Sequence, residues 1–82
     1  MSEQAETKLV KFGELSRQTG LTRQALHQYV VLGILVPESA TKGGQRLFVE
    51  SAALARIQLI QNLLASGYTL QSIRDIFFRD KN

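Results

Sequence analysis

The tripeptide Gly20-Leu21-Thr22 constrains this chain more than any other feature. Before it, residues 12–19 carry Phe12 and Leu15 at helical spacing, and Gly20 stands where a left-handed residue ends a helix. Thr22 is a good N-cap and opens a second helix that runs to about Leu32. Short helices joined by a glycine-containing turn of this length have the spacing of a helix-turn-helix.

The second helix has a telling sidedness. At about 100° per residue, Ala25, Leu26 and Tyr29 fall on one apolar arc. Gln24, His27 and Gln28 fall on the opposite arc, with Arg23 at its edge. That outer face carries hydrogen-bonding groups and no carboxylate, whereas a solvated helix face ordinarily mixes acids with bases. Gln and Arg are the side chains that reach adenine and guanine edges in the major groove.

Beyond this helix the period changes. Residues 33–37 form an apolar, β-branched stretch, a polar run containing Gly43-Gly44 follows, and 45–49 are extended in character. Two such segments around a Gly-Gly turn predict a β-hairpin, with Lys42 and Arg46 flanking its tip as in a wing. From 51 to 66, Ala53, Ile57, Ile60 and Leu64 make a core stripe that Leu54, Leu59 and Leu63 widen. Gly67 ends that helix, and Thr69 caps another running to about Phe78, with Leu70, Ile73 and Phe77 inward. The expected fold is therefore mainly α: four helices and a small β-hairpin wing over residues 9–82, behind a flexible N-terminal leader of residues 1–8.

Length and charge narrow the function. A chain of 82 residues is one domain with a thin core, which leaves little room for a deep catalytic cleft. The absence of cysteine removes disulfides and thiolate metal sites, and the setting expected is cytoplasmic, at the nucleoid. The longest apolar run, 29–36, is broken by Gly33 and far too short to span a bilayer, so no membrane partner is expected. Of the net charge of +3, the excess of base lies in residues 8–48, where Lys8, Lys11, Arg17, Arg23, Lys42 and Arg46 face only Glu14 and Glu38. Such an excess suits an anionic partner.

With these elements in order, the sequence resembles the MerR-family DNA-binding domain, a winged helix-turn-helix. The family's opening pattern, an apolar residue, G-E-L-A and then T-G-V, meets Phe12-Gly13-Glu14-Leu15-Ser16 and Thr19-Gly20-Leu21. Its recognition-helix pattern, S-x-x-T-L-R-Y-Y-E-x-x-G-L-L-x-P, meets the run from Thr22 to Val30 and then Gly33-Ile34-Leu35-Val36-Pro37. The wing pattern G-Y-R-x-Y meets Gly44-Gln45-Arg46-Leu47-Phe48. The resemblance implies that Tyr29 contacts phosphate and that Arg46 contacts backbone or minor groove. His27 stands where the family has a phosphate-contacting Arg, Gln28 replaces an aromatic residue, Val30 a Glu, Gln45 the wing Tyr, and Val49 a capping Ser. The family also implies a long dimerisation helix and a sensor domain, whereas this sequence stops at Asn82, just after Phe78. The residues here are thus expected to be a cut domain or a short stand-alone relative, encoding no effector sensing.

The function expected is sequence-specific binding of double-stranded DNA in transcription control, by a bacterial protein. The contacting residues expected are Thr22, Arg23, Gln24, His27, Gln28, Tyr29, Lys42, Gln45 and Arg46. For Tyr29, packing in the core stands beside phosphate contact. A DNA-architectural, excisionase-like role is the alternative, and a protein-interaction module that has lost DNA ranks third. Dimerisation is expected through an apolar C-terminal surface or a C-terminal helix beyond Asn82; Leu59, Leu63 and Phe78 are read as core first and as partner surface second. No nucleophile-base pair, metal site or cofactor motif is present in the sequence, so no enzyme is expected.

Overall fold

Each helix begins or ends on a residue whose backbone or side chain is fitted to that place. A computed structural model of the chain describes residues 8–79; the leader expected at the N-terminus falls largely outside them. The first strand, β1 (Leu9–Lys11), runs directly into α1 (Phe12–Thr19). Gly20 ends α1 in the left-handed region at φ 77°, and its N–H donates to the Ser16 carbonyl. The turn is then fixed by side chains: Ser16 Oγ donates to the Leu21 carbonyl (2.6 Å), and the Leu21 N–H donates to Thr19 Oγ1 (3.2 Å). Thr22 caps α2 (Arg23–Leu32) by accepting from the Ala25 N–H at 3.1 Å. At the far end Gly33, φ 83°, closes α2.

The wing comprises β2 (Ser39–Ala40) and β3 (Arg46–Val49), joined by a turn in which the Gly44 N–H donates to the Thr41 carbonyl. Thr41 Oγ1 also accepts from the Gln45 N–H at 3.1 Å, so the tip is held from both sides. The sheet has the order β1-β3-β2 and is antiparallel throughout, with Val10 opposite Phe48 and Ala40 opposite Arg46. Two helices follow, α3 (Glu50–Ala65) and α4 (Leu70–Arg79). Thr69 and Ser72 form a reciprocal cap on α4: the Ser72 N–H donates to Thr69 Oγ1 and the Thr69 N–H to Ser72 Oγ.

The core draws on every helix and on the sheet: Leu15, Leu26, Ile34, Leu35, Phe48, Ile60 and Ile73 are wholly buried. Phe48 is the hinge of this packing, with Phe12 against its ring at 5.1 Å between centroids. Burial of this apolar surface, at roughly 25 cal/mol per Å², is the main force that holds so small a domain together.

The structure corrects the sequence reading in three places. Strand β1 was not foreseen; it pairs with β3 across some forty residues of sequence. The first strand of the wing is Ser39–Ala40, not 33–37. Ile34 and Leu35 instead turn inward straight after the left-handed Gly33 and are buried, so the apolar stretch is a core plug rather than a strand. Third, Leu59 is 44% exposed and is not core, whereas Leu63 packs on the core's edge.

Val49 precedes α3 and supplies no side-chain cap. The Glu50 N–H donates instead to the Lys8 carbonyl at 2.8 Å, so the backbone beside β1 does the capping. The unforeseen strand therefore explains how α3 begins without a capping Ser.

Candidate nucleic-acid interface

The burial of α2 follows its sequence periodicity at Leu26 and Tyr29, whereas Ala25, expected on the inner arc, is half-buried and borders the outer side. Leu26 and Tyr29 face the core, while Arg23, Gln24, His27 and Gln28 are exposed. Among the described residues, no side-chain hydrogen bond or ion pair engages Gln24, His27 or Gln28. His27 does touch the ring of Phe12, edge-on at 6.4 Å between centroids. The face is thus polar, free of carboxylates and held outward by a helix whose other side is locked.

Arg23 has a constrained seat. A Cβ at Gly13 would lie 2.8 Å from Arg23 Nη2, so the guanidinium lies close against the first turn of α1 and would have to shift if residue 13 carried a side chain. It borders a cleft of about 640 Å³ whose lining includes Lys11, Phe12, Gly13, Gln45 and Arg46. The register of the sheet accounts for Arg46. It shares the face of β3 that Phe48 turns to the core, two residues further toward the tip, where the core has ended. Arg23 from α2 and Arg46 from the wing thus border one cleft.

One carboxylate, Glu14, also lines this cleft, and it is occupied. Arg17 Nη2 bonds Glu14 Oε2, and Gln18 Nε2 donates to the same oxygen at 2.8 Å. The Arg17 bond, helped by Gln18, holds the Glu14 carboxyl below its ordinary range and raises Arg17 in turn. The cleft is left net basic through Lys8, Lys11, Arg23 and Arg46.

The expected contact residues therefore fall into distinct positions. Thr22, Arg23, Gln24, His27 and Gln28 lie together at the exposed side of α2. Lys42, Gln45 and Arg46 lie exposed on the wing. Tyr29 lies apart from both groups: it is 4% exposed, and its hydroxyl accepts from Gln61 Nε2 at 2.8 Å. Its ring packs in the core, one of the two roles weighed for it. Sequence reasoning passed over Lys8, Lys11 and Gly13 as parts of the site; the unforeseen β1 brings the two lysines beside the wing. Among the described residues, no cluster of His, Asp or Glu is arranged to hold a metal ion, and no helix is long and apolar enough to cross a membrane.

Two helices joined by a tight turn, two further helices packed behind them, and a hairpin that shares a basic cleft with the turn's second helix define a winged helix-turn-helix domain. Residues 10–79 match the family described as MerR HTH family regulatory protein, and the chain belongs to that family. It is 36% identical over 64 residues to the nodulation protein NolA of Bradyrhizobium sp. (strain NC92), covering 78% of this chain and 27% of that protein. It is 31% identical over 68 residues to the HTH-type transcriptional regulator ZntR of Escherichia coli (strain K12), covering 83% of this chain and 48% of that protein. The chain thus spans between about a quarter and a half of the length of these relatives.

Solved structures agree with the fold. The N-terminal part of MtaN, the Bacillus subtilis multidrug transporter activator, superposes with a TM-score of 0.75 at 26% identity, over 83% of this chain and 63% of that one. A MerR-family transcriptional regulator from Bacillus cereus gives 0.73 at 28% identity, over 87% of this chain and 52% of that one.

Proposed function

We propose that this domain binds duplex DNA sequence-specifically, in transcription control, and catalyses no reaction. The observation that carries the reading is the outer face of α2: exposed, free of carboxylates, and unengaged by side-chain bonds within the described residues. On this reading α2 enters the major groove, where Gln24 and Gln28 address base edges and His27 donates to a base or phosphate. Thr22 and Arg23 hold phosphate at the mouth of the helix. Lys42, Gln45 and Arg46 fix the wing to the flanking backbone and set the register without reading sequence. Lys8 and Lys11 add charge to the same side.

The working assembly we propose is a homodimer in the cytoplasm. Leu59 on α3 and Tyr68 just after it, 44% and 45% exposed, offer apolar contact on the C-terminal helical half. Sedimentation of the isolated chain tests this: a dimer that Leu59→Glu dissociates supports that surface, and a monomer at high concentration removes it.

The principal experiment is fluorescence anisotropy of a labelled duplex across a salt series. Affinity falls steeply as salt rises, because phosphate contacts release counterions. Arg23→Ala with Arg46→Ala flattens the slope of log K against log salt by about two. Absence of binding at low salt, or a double variant that behaves as the parent, overturns the reading. Footprinting then separates regulator from architectural protein: one discrete site supports the first, extended cooperative protection the second.

A further inference from the structure

Val31 has no evident part in the folded domain. It is 69% exposed at the end of α2, whereas its neighbours Val30 and Leu32 pack against the core. A β-branched residue is a slightly unfavourable choice in a helix, and one left in water gains no burial to offset this. Its position is nonetheless regular. Gln24, His27, Gln28 and Val31 recur at steps of three and four residues, the spacing of one helix face. All of them line a single shallow depression on the outside of α2, together with Thr22 and Ala25.

We propose that Val31 determines specificity by packing against the 5-methyl group of a thymine in the major groove. The inference rests on the DNA-binding reading above and deepens it by assigning one base. Thymine's methyl is the apolar group that base pairs display in that groove, and a small aliphatic side chain is its complement. Valine in a helix strongly prefers one χ1 rotamer, so its two methyls point in a fixed direction. It reads shape, where Gln24 and Gln28 read hydrogen-bonding groups. Seven residues separate Val31 from Gln24, about 10 Å along a helix at 1.5 Å per residue. With a base step of about 3.4 Å, the thymine lies about three base pairs from the base addressed by Gln24.

The test begins by selecting preferred duplexes from a random pool with the 82-residue chain. Each thymine of the preferred site is then replaced by uracil, which lacks only the methyl. At one position, about three base pairs from the one whose preference Gln24→Ala relaxes, uracil weakens binding about three- to fivefold, the effect of taking one methyl out of apolar contact. Val31→Ala loses about the same factor on the thymine duplex and is indifferent to uracil at that position. Because Val31 is exposed and Ala is the better helix former, Val31→Ala keeps the parent's circular dichroism and has a Tm equal to or slightly above the parent's. Specific binding with no thymine coupled to Val31, including a preferred site without thymine there, overturns this inference and leaves the DNA-binding reading intact. Loss of salt-sensitive duplex binding by the parent chain overturns both.

Discussion

The outer faces of α1 and α2 have similar polarity and opposite organisation. On α1, Arg17 and Gln18 both donate to Glu14, and Gln18 Nε2 reaches across to Glu50 Oε2 at 2.7 Å. Lys8 adds an ion pair to the same Glu50 at 3.7 Å. Charges there are of both signs and answered within the chain. On α2 there is no acid, and Gln24, His27 and Gln28 point out with no side-chain hydrogen bond or ion pair among the described residues. The first face is complete without a ligand. The second leaves donors and acceptors that an outside surface can use, and this difference, more than net charge, separates a recognition helix from its support.

Placing carboxylates on the unanswered face gives the largest effect. Gln24→Glu with Gln28→Glu sets negative charge against phosphate, where like-charge contacts cost several kcal/mol. Anisotropy should show binding lost by a hundredfold or more, with Tm close to that of the parent. Unchanged affinity would erase the distinction between the two helices.

Next in size are changes where α1 and α2 end. Gly33→Ala meets the Phe78 ring as well as a positive φ, and should lower stability in urea unfolding by about 2–4 kcal/mol. Gly20→Ala has the same backbone strain but open space around it, and should cost about 1–2 kcal/mol. Equal costs would show that the Phe78 contact adds nothing.

Gln28→Ala should remove about 1–3 kcal/mol of discrimination at particular base pairs, measured by competition among single-base variants of the preferred site. A uniform loss over all variants would move Gln28 from the bases to the backbone.

The smallest effect lies on α1. The Glu14 carboxyl is held below its ordinary range by Arg17, so its stabilising contribution is present at neutral pH and fades as pH falls through that depressed range. Arg17 is exposed and Glu14 partly so, and solvent screening keeps the contribution slight. Glu14→Gln should therefore lower Tm a little at pH 7, and the gap should close in acid. A gap that widens in acid would contradict the assigned bond.

The two faces were also unequally legible in the sequence. The turn between α1 and α2 could be read because Gly20 and Thr22 act locally, one through φ and the other through a cap. The outward set on α2 followed from periodicity alone, since Leu26 and Tyr29 fix which side is inside. Strand β1 left almost no local trace: in Leu9–Lys11 only Val10 is buried, and its partner Phe48 is distant in sequence. Ile34 and Leu35 misled because a short apolar run suits a buried plug as well as a strand. Ser39–Ala40, with little strand propensity of its own, is extended because the Thr41 turn and the pairing to Arg46 and Leu47 hold it there. The basic cleft was partly hidden for the same reason, as Lys8 and Lys11 reach it only through a long-range strand.

The contact between Phe78 and Gly33 gives the domain a mechanical coupling. Phe78 lies near the end of α4, and Gly33 is the stop of α2. The ring fills the volume that any larger residue at 33 would need, so α4 cannot slide toward α2 without pressing on its terminal backbone. If α4 draws away, it opens a void, and a packed interior resists that too. A pull on the end of α4 is therefore transmitted to the axis of the helix that carries Gln24, Gln28 and Val31. The stop of the helix that carries the proposed DNA surface is thus packed against a helix distant from it in sequence.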